Sequence, residues 1–132
     1  MRRILVGLGL GALSMLAVAA TPLAYIVLPP NGAVVKSPVT VVFGLRQPWG
    51  VAPAGVAMEK TGHHHLLVDV PLPDLGKPVP KDAQHLHFGT GQTETTLELA
   101  PGKHTLQLLL GDYAHLPQQP PVLSEVITIT VE

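Results

Sequence analysis

Apolar and polar side chains alternate with period two along much of this chain, a spacing that predicts half-buried β-strands rather than helices. In residues 93–99, Thr95, Leu97 and Leu99 share one face while Glu94, Thr96 and Glu98 take the other. In residues 104–110, Leu106, Leu108 and Leu110 point to a common core, and in residues 125–131 Ile127, Ile129 and Val131 do so. β-branched and apolar runs add strands at residues 25–28, 39–45 and 63–70, with a short piece at 86–88. No stretch of residues 21–132 shows a helical period. About seven short strands in one domain of this size predict an all-β, immunoglobulin-like antiparallel β-sandwich.

Proline and glycine punctuate these strands. Pro29-Pro30-Asn31-Gly32 stops the first, and Pro101-Gly102 separates the two clearest alternating runs. Two long irregular connections are expected. Residues 46–62 carry Trp49, Val51 and Met58, and residues 71–84 carry four prolines with Leu72 and Leu75. Loops of such length often serve a function, although these apolar residues also suit caps on the ends of a sandwich.

The first 20 residues follow a different pattern. Met1-Arg2-Arg3 is a basic start, residues 4–20 are uncharged and rich in Gly, Ala and Leu, and Ala17-Val18-Ala19-Ala20 offers small residues for cleavage. These are the three parts of a secretory signal peptide, too short and too glycine-rich for a good membrane span. Residues 1–20 are therefore expected to be a signal and residues 21–132 one exported domain, periplasmic or secreted, with no stable span after cleavage.

Composition then narrows the chemistry. The chain has no cysteine, a formal charge of −1, and seven histidines against eight Lys plus Arg. Without Arg2 and Arg3 the histidines outnumber the basic residues. Absence of cysteine excludes disulfide scaffolds, thiolate zinc sites, iron–sulfur clusters and blue-copper centres. The near-neutral charge gives no reason to expect nucleic-acid binding.

The histidines fall in a pattern. On a strand, His63 and His65 share one face with Leu67 and Asp69, while His64 points the other way with Leu66 and Val68. His85 and His87 likewise project together, opposite Leu86 and Phe88. Two His-X-His pairs on neighbouring strands would bring four imidazoles within reach of one another. Neutral imidazole is a good ligand for copper and zinc, and a sheet presents it with little ordering cost. His63, His65, His85 and His87 are thus the expected metal ligands. Possible support comes from His64, His104, His115, Asp69 and Asp112, with Asp82 and Glu94 as further carboxylates able to orient rings. Ring nitrogens about 3–4 Å apart would suit an ion with bonds near 2.0–2.1 Å.

Two local stretches resemble secreted bacterial immunoglobulin-like domains: PNGAVVKSPVTV (residues 30–41), and APGKHTLQLLLGD (residues 100–112) with VITITV (residues 126–131). More specifically, GHHHLLVD (62–69), HLHFGTGQTETTL (85–97), PGKHTLQLLLGD (101–112) and HLPQQPPVLSE (115–125) resemble a bacterial exported family of unknown function. Its signature is GHHHL, HxHFGxGQTE and PGxHTLQLLxGD. The resemblance spans residues 25–132 and implies a small exported domain with a His-rich face. His63, His64, His65, His85, His87, His104 and His115 all fall on that signature and its downstream segment. The family often carries a further histidine where this chain has Gln118.

Familiar catalytic patterns are missing. Ser37 and Ser124 lie at turns or strand starts, and no Gly-X-Ser-X-Gly, His-Glu-X-X-His or phosphate-cradling loop occurs. A histidine brace would need His at the mature N-terminus, where either cleavage site leaves Ala20 or Thr21. Copper chaperones rich in methionine are unlike a domain whose one methionine is Met58. HLHFG is similar to a strand of copper–zinc superoxide dismutases, by architecture alone. The expectation is a small exported domain binding copper or zinc. The alternatives are a metal-free domain that binds an extracytoplasmic partner, its histidines forming a hydrogen-bond network, and a metal-dependent hydrolase with Glu94 or Asp69 as base.

Overall fold

The computed structural model describes residues 11–16 and 20–132. The expected signal peptide, residues 1–20, lies largely outside the described residues. Among the described residues there is no helix, and so none long and apolar enough to cross a membrane.

Among the described residues, nine strands form two sheets. They are β1 (Ala24–Leu28), β2 (Val34–Val35), β3 (Val39–Leu45), β4 (Gly50–Val51), β5 (Thr61–Val68), β6 (His85–His87), β7 (Glu94–Leu97), β8 (Gly102–Gly111) and β9 (Ile127–Val131). The smaller sheet has the order β1-β3-β7, and the larger runs β2-β9-β8-β5-β4 with β6 also on β5. Most pairs are antiparallel; β2 on β9 and β4 on β5 are parallel. The expected sandwich is formed, with β2 and β4 as two-residue additions to the seven strands read from the sequence.

Alternation sorts the core as anticipated. Val39, Val41 and Phe43 of β3 face Leu66 and Val68 of β5, Leu106, Leu108 and Leu110 of β8, and Ile127, Ile129 and Val131 of β9. β7 contributes half-buried Leu97 and keeps Glu94 and Thr96 outside. The chain then crosses to the other sheet through Pro101, because β7 pairs with β3 while β8 pairs with β5 and β9.

β5 differs from the other strands in being buried on both faces, from Gly62 through Val68. Its second face carries Leu67, which packs with Leu109 and Val79 as a separate small cluster. Val79 belongs to the proline-rich connection 71–84, and half-buried Leu75 of that connection packs there too. That segment therefore lies over the outer face of the larger sheet. The segment after β8 also returns over it: Gly111 bridges to Pro117, and Leu109 to Leu123. Polar side chains fix the return, with Ser124 Oγ accepting from the Leu108 amide at 2.8 Å and Gln107 Nε2 donating to the Ser124 carbonyl at 2.9 Å. This cover lies over the sheet face from which His63, His65 and His87 rise. Trp49, in the other long connection, packs half-buried against the main core, whereas Met58 and Leu72 are exposed.

Candidate metal centre

Register decides which histidines meet. β5 and β6 align His65 opposite His87 and Leu67 opposite His85. His63 stands two residues before His65 on the same face, and β8 places Gly111 opposite His63. His63, His65 and His87 thus rise from one patch of sheet. The fourth ring comes from above: His115, in the turn after β8, brings a nitrogen to within 3.0 Å of His63, between His115 Nδ1 and His63 Nε2. One nitrogen from each of His63, His65, His87 and His115 can be chosen so that all four lie within 4.8 Å of one another. That bound is wider than the roughly 3–4 Å that suits an ion with bonds near 2.0–2.1 Å, so the rings must draw closer to share one.

The turn that delivers His115 is built around Asp112. Its Oδ1 accepts from the amides of Ala114 at 2.8 Å and Leu116 at 3.0 Å, and its carbonyl accepts from the His115 amide. His115 itself has φ of 67°, a left-handed conformation that His tolerates better than branched residues do. The Val79 amide donates to the His115 carbonyl, tying the turn to the proline-rich cover.

Two glycines make room for the rings. A Cβ on Gly111 would lie 2.6 Å from Cε1 of His65, and one on Gly89 would overlap the ring of His87. Both positions are thus closed to larger residues while the histidines keep these rotamers.

The electronic state suits metal binding. His63 and His65 are fully buried, His87 and His115 half-buried. Burial, reinforced by the neighbouring imidazoles of His87 and His115, lowers the pKa of His63 to about 4, with Asp112 opposing. Burial and the same neighbourhood lower His65 to about 3; the Leu109 backbone pulls weakly the other way without forming an aligned hydrogen bond. His87 is lowered by burial, then by His115 and Lys81. All three are therefore neutral at pH 7, the form that binds metal. Four buried nitrogens in the group have no hydrogen-bond partner among the described residues: His63 Nδ1, both nitrogens of His65, and His87 Nε2. An unpaired buried polar atom costs about 1–3 kcal/mol.

The remaining expected residues lie elsewhere. His85 shares the outer face with His87 but is displaced along the strand, and its Nδ1–H donates to Asp82 Oδ1 at 2.8 Å. His115 occupies the place in the group that the sequence assigned to His85. That substitution was hidden because alternation fixes a face, not a position along it. The signal for His115 was the turn-forming Asp112 three residues earlier. His64 points into the sandwich, with its ring 5.2 Å from that of Phe43 and neither nitrogen bonded. Its pKa is lowered to about 4 by burial and then by His63.

His104 and Asp69 form a separate pair beyond the other end of β5. His104 Nδ1 donates to Asp69 Oδ2 at 2.6 Å and Nε2 to the Ala100 carbonyl at 2.7 Å, while Asp69 Oδ1 accepts from the Thr105 amide. Both ring partners are acceptors, so both bonds are made when the imidazole carries both hydrogens and a positive charge. Its pKa is accordingly raised, chiefly by the Asp69 hydrogen bond. Glu94 lies on the other sheet, exposed. Neither it nor Asp69 belongs to the histidine group.

Comparison with known proteins gives a family but no characterised relative: no curated protein and no solved structure matches this chain. A family profile described as "Domain of unknown function (DUF4399)" matches residues 41–132, a stretch containing all four clustered histidines. With well over half of its length matched, the chain belongs to this domain-of-unknown-function family.

Proposed function

We propose that this protein is an exported domain that binds one transition-metal ion, copper or zinc, through His63, His65, His87 and His115. The observation that carries the reading is the group itself: four imidazoles in mutual reach, with four buried nitrogens unpaired. A purely structural hydrogen-bond network would satisfy those nitrogens, yet within the group one imidazole–imidazole hydrogen bond is formed. Coordination by an ion supplies each of the four rings with a partner and fits neutral imidazole chemistry. Export rests on the basic, then apolar, then small-residue order of residues 1–20.

The direct test is elemental analysis of untagged protein purified without a metal column, paired with melting in the presence and absence of chelator. One ion per chain, lost in His65→Ala and His87→Ala, is expected. A metal bound only by the folded state must raise the melting temperature. Metal-free protein whose melting is unchanged by added copper or zinc at neutral pH overturns the reading.

A further inference from the structure

Two properties of the four-histidine group bear on which ion it selects: its shape and its charge. For shape, five of the six ring-centroid separations lie between 4.7 and 5.2 Å. The sixth, His65 to His115, is 6.2 Å. Four rings at the corners of a square would give four short separations and two distinctly longer diagonals. Nearly equal separations describe a tetrahedron stretched along one edge. The chain explains why. Three rings stand on a sheet and the fourth descends from a turn, its plane 84°, 88° and 69° from those of His63, His65 and His87. Divalent copper prefers square-planar or tetragonal ligands, whereas the filled d shells of zinc(II) and copper(I) accept a tetrahedron.

Charge separates those two. The group consists of imidazoles, which coordinate as neutral ligands, and among the described residues no carboxylate belongs to it. Two charged side chains act on rings of the group: Asp112 on His63 and Lys81 on His87. They carry opposite signs, and the Asp112 carboxylate is already engaged by two backbone amides. The surroundings therefore supply little net negative charge, beside the apolar cluster of Leu67, Val79 and Leu109. The cost of holding an uncompensated ion in a low-dielectric site grows with the square of its charge, so a divalent ion costs roughly four times a monovalent one.

We infer that the four-histidine group is a copper(I) site, its tetrahedral rings disfavouring copper(II) and its uncompensated charge disfavouring zinc(II). The inference rests on the proposed metal-binding reading and narrows it to one ion in one oxidation state. Sulfur ligands are the common means of selecting copper(I); here neutral nitrogen donors in a tetrahedral arrangement replace them. Entry is from the turn side, where His87 and His115 are half-buried, rather than through the sheet, where His63 and His65 are closed off.

The test is an anaerobic competition titration of the full chain with copper(I), copper(II) and zinc(II), each buffered by a chelator of known affinity, repeated on His115→Ala. Copper(I) is expected to bind one per chain and at least 100-fold more tightly than either divalent ion, with the preference lost in the variant. Each tenfold preference for copper(I) over copper(II) raises the potential of the bound couple by about 59 mV, an independent readout. X-ray absorption of the copper(I) protein is expected to show nitrogen neighbours and no sulfur, a result that does not depend on any variant folding. Zinc(II) or copper(II) held as tightly as copper(I), or sulfur at the copper(I) ion, overturns the inference and leaves a metal site of another kind. Failure of all three ions to bind overturns both readings.

Discussion

Gly111 and His65 share one small volume: a side chain on the glycine would come within 2.6 Å of the imidazole. Gly111→Ala is therefore expected to push His65 off its position while leaving all four histidines in the sequence. Overpacking of this kind costs about 1–3 kcal/mol of stability. Because the ring must move, metal affinity is expected to fall about tenfold or more, as when a group that orients a ligand is lost. Isothermal titration beside thermal melts separates the two effects. A variant that melts lower yet binds metal normally would show that the ring tolerates the crowding.

His115 and His85 make a paired prediction. His115→Ala removes one of the four clustered rings and is expected to weaken metal binding by about 100-fold or more, beyond the usual loss from orienting groups. His85→Ala breaks a hydrogen bond to half-exposed Asp82 and is expected to leave affinity unchanged, with stability altered by about 0.5 kcal/mol or less. The reverse order of effects in a metal titration would restore His85 as the ligand.

Asp112→Ala tests the turn. The substitution leaves the amides of Ala114 and Leu116 without their acceptor and is expected to cost about 1–2 kcal/mol. Faster hydrogen exchange at those two amides, with weaker metal binding, is the expected signature. Asp112→Asn keeps an acceptor oxygen and is expected to recover most of both.

Acid acts through the buried rings. His63 and His64 are held near 4 and His65 near 3, below the ordinary 6.5. Between those values and 6.5 the unfolded chain binds more protons than the folded one, so stability rises with pH across that window. Each such ring costs about 1.4 kcal/mol per pH unit as the pH falls through it. Metal-free protein is expected to lose stability progressively as the pH falls from 6.5 toward 4, measured by urea melts at a series of pH values. A flat profile there would mean the rings are solvated.

The His104–Asp69 pair has the opposite sign. Its raised pKa means that its stabilising contribution is complete below pH 6.5 and disappears as pH rises through the folded-state value. His104→Ala is expected to cost about 1 kcal/mol at pH 6, given partial exposure, and less at pH 9. Equal losses at both pH values would mean that packing, not charge, is what His104 contributes.

Most strands were legible because alternation survives wherever one face is buried, as in Leu106, Leu108 and Leu110. β2 and β4 were not, since two residues carry no period. The double burial of β5 was also hidden: covering its outer face depends on residues 71–84 and 112–124, whose prolines and polar side chains mark connections without saying where they lie. The histidine group was legible to the same degree. His63, His65 and His87 follow from strand alternation, while choosing His115 over His85 required the β5–β6 register and the turn at Asp112.

The contact between His63 and His115 joins positions 52 residues apart in a chain that has no cysteine. An ion bridging them would act as a cross-link, closing a loop whose restriction in the unfolded chain is worth about 4 kcal/mol by the chain-entropy argument used for disulfides. Unlike a disulfide, this staple can be withdrawn by a chelator. Loading would then govern how firmly the segment after β8, which carries His115, is fastened over its sheet.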